Sequence, residues 1–160
     1  MGKTKVERAA LIEQYAAGYG AVLDALESIT AAEWESREGP NEWCSREIAH
    51  HLGDSEMSAA VRIRALIADE EAVIQAFDQE RWNSILYPRD RPIEPSLAAF
   101  KAAREATVPL LRLISDEQWT REGTHTQFGP MSAEHWLEWY GPHAHDHADQ
   151  IRRARAAAHG

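Results

Sequence analysis

The stretch from Ser132 to Ala158, "SAEHWLEWYGPHAHDHADQIRRARAAA", decides between a helical and a β fold for this part of the chain. It carries His143, His145 and His147 within five residues. In a strand all three histidines would point to one side, because side chains repeat every two residues. In a helix His143 and His147 share a face and His145 points away from it, towards solvent. The tail after His147 consists of strong helix formers, so the stretch is predicted to be a helix capped by Ser132 and ending near residue 157.

The predicted helix has one face that must turn inward. Its members recur at three- and four-residue spacing and are Trp136, Tyr140, His143, His147 and Ile151. Pro142 removes a backbone hydrogen bond and predicts a bend just before His143. Two inward histidines four residues apart suit a metal ion, but core histidines satisfied by their neighbours show the same spacing. A third ligand from elsewhere in the chain is needed to decide.

Three further amphipathic helices are predicted upstream from the same apolar spacing. They cover 5–29, 44–68 and 97–114. Ser96 is the predicted cap of the third, and Pro109 predicts a kink or a local break within it.

The connections are predicted to be short and mostly irregular. A short helix is expected at 77–86, and a separate single turn of helix is expected after its cap, Ser115. A small hairpin is expected around Gly129 in the loop 121–131. No stretch shows sustained period-two alternation. The predicted fold is therefore an all-α four-helix bundle, one domain over residues 1–160, with a short extra helix and a loop region between helices.

Composition excludes several classes of protein. The net charge of −9 opposes the phosphate electrostatics that drive nucleic-acid binding, so no nucleic-acid partner is expected. The longest apolar runs are far shorter than the roughly 18–20 residues of a membrane helix, so no membrane partner is expected either. The first twenty residues lack the apolar core of a secretory signal. Cys44 is the single cysteine and cannot form an internal disulfide, and a cytoplasmic location is predicted.

A third histidine ligand is available in "AHHLGDSE", within the helix predicted at 44–68. The apolar stripe of that helix passes through Ile48 and Leu52. His51 follows Ile48 by three residues and is the predicted inward histidine, whereas His50 is predicted to be rotated further out.

Three segments together resemble the DinB/YfiT-like family of metalloenzymes, whose YfiT-type members are described as metal-dependent hydrolases. They are "SREIAHHLGDSEMSAAVRIRALI" at 45–67, "FDQERW" at 77–82 and "YGPHAHDHADQI" at 140–151. The resemblance implies an up-down-down-up four-helix bundle and a homodimer. It also implies a divalent metal ion, zinc or nickel, as cofactor.

By the same resemblance, the metal ligands are His51, directly before Leu-Gly-Asp-Ser, and the pair His143 and His147. His50 and His145 match no ligand of the family. Gly53 stands where alanine is common, a change expected to be harmless. "YGPH" replaces the more usual aromatic before the first C-terminal histidine, so the pocket wall near Pro142 is expected to differ.

Three functions are compatible with such a site. A divalent metal on three neutral imidazoles lowers the pKa of a bound water to roughly 7, which favours a hydrolase acting on a small-molecule substrate. The same metal binds thiolates well, and some family members transfer low-molecular-weight thiols to electrophiles, so a metal-dependent thiol S-transferase is the alternative. The third is a metal-binding stress protein without turnover. Because an unperturbed histidine has a pKa near 6.5, metal affinity is expected to fall steeply between about pH 7 and pH 5.

Other polar residues are candidates for catalysis. Glu47, Asp54 and Ser55 lie within one turn of His51 and are candidates to orient a ligand or to act as a base. The alternative for them is an ordinary solvated helix face.

The substrate pocket is expected beside the first histidine of the final helix. Trp139 and Tyr140 are the predicted substrate-binding residues, together with the connection at 83–95. His125 resembles a histidine found before the last helix in YfiT-type members. It is therefore a candidate for the pocket edge, the alternative being a plain loop residue.

Overall fold

Four long helices form the bundle predicted from the sequence, in a computed structural model that describes residues 2–159. They are α1 (Lys5–Leu26), α3 (Ser45–Ala68), α5 (Ile93–Leu113) and α7 (Ala133–Ala156). The shorter elements are α2 (Ala31–Glu35), β1 (Val73–Ile74), α4 (Gln79–Ile85), α6 (Asp116–Thr120), β2 (Glu122–His125) and β3 (Gly129–Ser132). Helix α2 was missed, although Thr30 and Glu33 carry the same capping-box pattern that predicted α6.

The helix boundaries follow from local capping chemistry. Ser132 caps α7 and Ser115 caps α6, each accepting a hydrogen bond from the backbone N–H three residues later, as predicted. The predicted cap of α5 was wrong. This helix begins at Ile93 after Pro92 and includes Pro95, because proline is tolerated in a first turn that needs no N–H donor. The helix also continues through Pro109, so the predicted break does not occur.

Helix α7 is likewise continuous through Pro142. Helices α3 and α7 pack in opposite directions. The indole of Trp136, early in α7, donates to the carbonyl of Ala59 in the middle of α3, and His51 near the start of α3 meets His143 further along α7. The antiparallel packing brings the histidines of the two helices to the same level.

Two apolar clusters fill the bundle, and every long helix contributes to both. The first includes Ile12, Tyr15, Ile63, Leu66, Leu111, Trp136 and Leu137. The second includes Val22, Ile48, Leu52, Phe100, Ala148 and Ile151. Between them the helices carry polar or small residues, among them Gly18, Glu56, Arg104 and His143, whereas His51 and His147 lie beside members of the second cluster.

Helices α3 and α5 approach closely at Gly53. A Cβ atom at this position would lie 2.7 Å from the carbonyl oxygen of Ser96, which is backbone and cannot move aside cheaply. Glycine at this position is therefore required by the close packing of the two helices in this chain.

A small sheet closes one side of the bundle. The predicted hairpin is present as β2 and β3, paired antiparallel, and β1 adds to β2 in parallel. Two residues are too short for β1 to show alternation in the sequence. Gly129 has a φ of 78°, the left-handed conformation that glycine adopts without strain. None of the helices in the described residues is long and apolar enough to cross a membrane.

Candidate metal centre

His51, His143 and His147 converge at one point between α3 and α7. Each offers a ring nitrogen, and these nitrogens all lie within 4.8 Å of one another. The Nε2 atoms of His51 and His143 are 3.4 Å apart. His143 and His147 are neighbours on one face of α7, with ring centroids 4.6 Å apart, as the helical interpretation of "HAHDH" requires.

The geometry of the three imidazoles fits a divalent metal ion. Two nitrogens at about 2.0–2.1 Å from a tetrahedral metal are separated by about 3.4 Å, which is the distance between Nε2 of His51 and Nε2 of His143. The donor set is all nitrogen, the kind that borderline metals such as zinc and nickel accept. It therefore offers a metal three protein ligands.

The protonation of the cluster also suits a metal. Burial, followed by the charges of His147 and His143, lowers the pKa of His51 to about 2. Burial, followed by the charge of His143, lowers the pKa of His147 to about 4. Both rings are therefore neutral at pH 7 with lone pairs available. The expectation of an ordinary pKa near 6.5 was wrong for these two ligands, because the cluster lies among desolvated side chains.

Hydrogen bonds behind the rings orient them. Nδ1 of His147 lies 2.8 Å from Oε1 of Gln150, which can only accept, so His147 carries its proton there and keeps the lone pair on Nε2. Nδ1 of His143 is buried without a hydrogen-bond partner and lies 3.9 Å from Oε1 of Glu56. A carboxylate in this position favours the His143 tautomer with Nδ1 protonated, which frees Nε2 for a metal.

Glu56 is itself part of a buried charge network. Its side chain is fully buried, with Oε1 2.5 Å from the guanidinium of Arg104 and Oε2 accepting from the Tyr15 hydroxyl at 3.1 Å. Burial raises the pKa of Glu56, but the facing ring of His143 and the charge of Arg104 outweigh it, and the pKa is lowered. The carboxylate therefore stays charged beneath His143.

The sequence contained a signal for this network that our sequence analysis missed. Glu56 falls on the inward stripe of α3 between Leu52 and Ala59, and Arg104 falls on that of α5 after Phe100. Opposite charges on the apolar stripes of two helices indicate a buried pair, because neither group can be buried alone.

The two histidines excluded as ligands lie outside the cluster, but not in the environments expected. His50 is fully buried rather than rotated outward, with Nδ1 2.8 Å from the Ser96 hydroxyl, because the close approach of α5 covers it. His145 is half-buried rather than facing solvent, and its Nε2 lies 2.8 Å from the carbonyl oxygen of Gln14 on α1.

Two of the three candidate catalytic residues are engaged elsewhere. Glu47 accepts from the backbone N–H of Cys44 and caps α3. Asp54 forms two hydrogen bonds with Arg91, at 3.1 and 2.8 Å. Ser55 is buried and lines the cleft beside His143.

A cleft of about 790 Å³ opens next to His143. The predicted substrate-binding residues Trp139, Tyr140 and His125 all line it. The connection at 83–95 does not. Its place is taken by residues 76–79 and by the β2–β3 turn, because the unpredicted strand β1 pairs with β2 and so brings the residues that follow β1 next to this turn.

Trp43 was also missed as a neighbour of the histidines. Its ring lies 4.8 Å from that of His51 and stacks nearly parallel on that of His147 at 6.3 Å. It is not part of the cleft wall but lines a separate pocket of about 150 Å³ together with His147 and Gln150.

Comparison with known proteins agrees with this architecture. The family model of the DinB superfamily matches residues 14–151. A protein of Oceanobacillus iheyensis is 33% identical over 109 residues, which cover 68% of this chain and 63% of its own length. YfiT of Bacillus subtilis is 26% identical over 128 residues, which cover 79% of this chain and 72% of YfiT. The names of both assign them provisionally as metal-dependent hydrolases.

The fold also matches a solved structure. YfiT from Bacillus subtilis, described as having an unusual four-helix bundle topology, superposes with a TM-score of 0.87 at 23% identity. The match covers 94% of this chain and 86% of the YfiT chain. The four-helix bundle is thus shared over nearly the whole length.

Proposed function

The chain belongs to the DinB superfamily, and we propose that it is a metal-dependent hydrolase of a small-molecule substrate. His51, His143 and His147 would hold the divalent metal ion. The observation that carries the proposal is the convergence of three imidazoles, one of which, His143, lines an open cleft. The names of the relatives support the same class of reaction.

The bound metal would supply Lewis-acid activation of a water molecule near neutral pH. The chain's own residues hold and orient the ligands. Gln150 fixes the tautomer of His147, and Glu56 supplies negative charge behind His143. Trp43 packs against the rings of His51 and His147.

Tyr140 is the residue of the cleft best suited to contact the reacting group. Its hydroxyl accepts a hydrogen bond from Arg62 at 3.2 Å, and burial raises its pKa, so it stays protonated at neutral pH. A neutral hydroxyl keeps one O–H to donate to a substrate oxygen. Its ring lies 5.5 Å from that of His143, which places this donor near the ligands.

Metal analysis of tag-free protein followed by an esterase assay tests the proposal. We expect about one metal ion per chain, and hydrolysis of an activated ester such as p-nitrophenyl acetate that is lost with the metal in His51→Ala. His145→Ala is the matched control, since His145 lies on the same helix as two ligands but outside the cluster. Full metal content without hydrolysis of any ester or amide would refute the hydrolase.

Thiol S-transfer is the second candidate, favoured by a ligand set of three imidazole nitrogens without a carboxylate, which would leave the charge of a borderline metal available to a thiolate. Its assay is conjugation of monochlorobimane with bacillithiol, mycothiol or glutathione. Conjugation that disappears in His51→Ala, without ester hydrolysis, would replace the hydrolase by the transferase. Inactivity in both assays at full metal content would favour a metal-binding protein without turnover.

A further inference from the structure

Arg62 presents a positive charge to the cleft without a counterion. It lies three turns beyond His51 on α3, and its guanidinium donates to the Tyr140 hydroxyl at 3.2 Å and to the backbone carbonyl of Gln75. Both acceptors are uncharged, and Arg62 has no ion pair within residues 2–159. A guanidinium has five N–H donors, so most of them remain for a ligand.

The other charged residue of the cleft wall does not neutralise it. Asp78 caps α4, where its Oδ1 accepts from the backbone N–H of Arg81 at 2.9 Å. Its charge is thus directed to a helix N-terminus, the position where a carboxylate is stabilised.

His125 supplies an uncharged donor in the wall of the same cleft as Arg62. Its Nδ1 accepts from the backbone N–H groups of Gln127 and Phe128, at 3.2 and 3.3 Å. The proton of the neutral ring is therefore on Nε2. Burial, followed by the charge of Arg62, lowers the pKa of His125, so this tautomer persists at neutral pH. The β2–β3 turn thus holds His125 as a fixed N–H donor.

We propose that Arg62 and the Nε2–H of His125 form a carboxylate-binding subsite, and that the substrate is a small apolar molecule carrying one carboxylate. The subsite has one cation and one neutral donor, which balance a single negative charge but not a phosphate dianion. Phe77, Phe128 and Trp139 supply the apolar wall for the rest of the molecule. Its reactive end then faces His143. The substrate class rests on the proposed hydrolase, whereas the subsite does not.

Calorimetric titration with benzoate tests the subsite independently of turnover. We expect one benzoate per chain, bound with similar affinity before and after metal removal by a chelator, and no binding of benzamide. Arg62→Met should weaken benzoate binding about tenfold or more, the loss of a hydrogen bond to a charged group. Arg62→Lys should lose less of the affinity for benzoate, because lysine keeps the positive charge. His125→Phe should also weaken binding, by several-fold, without touching Arg62.

Arg81→Met is the matched control, because it removes the same charge from a neighbouring exposed arginine outside the cleft. Equal weakening by Arg81→Met, unchanged binding in Arg62→Met, equal affinity for benzamide, or loss of benzoate binding with the metal would each overturn the subsite. A thermal melt shows whether Arg62→Met is folded, and His125→Phe tests the subsite if it is not.

The same variants separate this inference from the proposed hydrolase. If neutral and carboxylate-bearing esters are both hydrolysed and Arg62→Met leaves the two rates unchanged, the subsite is wrong and the hydrolase stands. If no ester is hydrolysed but benzoate binding depends on Arg62, the hydrolase is wrong and the subsite stands.

Discussion

Replacing Glu56 by glutamine removes the counterion of a guanidinium that has no access to water. The side chains of Glu56 and Arg104 are 0% and 2% exposed, and their charged atoms are 2.5 Å apart. Glutamine has nearly the same shape, so the variant removes the charge while leaving the packing of α3 against α5 intact.

The expected cost follows from burial. Breaking a buried ion pair by removing one partner costs about 3–5 kcal/mol, because the remaining charge is left uncompensated. The amide oxygen of glutamine can still accept one hydrogen bond from Arg104, which offsets about 1 kcal/mol. The free energy of unfolding should therefore fall by about 2–4 kcal/mol. For a chain of this size that lowers the melting temperature by about 4–16 °C.

Urea unfolding and thermal melts measure this change. Glu13→Gln is the matched control, because Glu13 pairs with Arg112 between two helices at 2.6 Å, but with side chains 67% and 53% exposed. That exposed pair should contribute at most about 1 kcal/mol. Equal losses in the two variants would refute the reasoning that burial, rather than contact distance, sets the cost.

The difference in the free energy of unfolding between wild type and Glu56→Gln should also depend on pH, which gives a second check. The pKa of Glu56 is lowered in the folded state, so its carboxylate stabilises the fold above the unfolded-state pKa near 4.5. This contribution is lost as the pH falls through the folded-state pKa. The difference between wild type and Glu56→Gln should thus be constant from pH 8 to about 5.5 and shrink below about 4.5.

Three further predictions concern the ligands and the packing. His51→Ala and His147→Ala should abolish stoichiometric metal binding by mass spectrometry, whereas His145→Ala should retain it; metal loss in His145→Ala alone would contradict the helical cluster. Because the pKa values of His51 and His147 are about 2 and 4, at most one ligand proton competes with the metal between pH 7 and pH 5. The metal affinity should fall by no more than about one decade per pH unit in a calorimetric titration. A fall of two or three decades per pH unit would show that His51 or His147 is protonated in this range. Gly53→Ala should lower the free energy of unfolding by about 1–3 kcal/mol, because its Cβ would meet the Ser96 carbonyl at 2.7 Å. Gly20→Ala has open space at the Cβ position, so it should raise the free energy of unfolding by about 0.4–1 kcal/mol, and a loss as large as that of Gly53→Ala would refute the contact argument.

The sequence by itself determined the bundle and the ligand face. Four segments with a 3.6-residue apolar period can bury their stripes only against one another, and this holds whatever the connections do. The same period places His143 and His147 on one face of α7 and His51 on the inner face of α3. The capping by Ser115 and Ser132 could also be predicted, because each cap hydrogen bond joins residues within one turn of helix.

Only the tertiary structure decided which buried groups meet across helices. The level at which α3 crosses α7 and α5 sets Glu56 beside both His143 and Arg104, and no spacing along the chain encodes that register. The depressed pKa values of the histidines have the same origin, since desolvation depends on what other elements cover them. The prediction that His50 points outward was wrong because the neighbouring helix α5 covers it, whatever its position around the axis of α3. The two-residue β1 pairs with a hairpin about fifty residues later, and this non-local backbone pairing holds His125 in the wall of the cleft that Arg62 also lines.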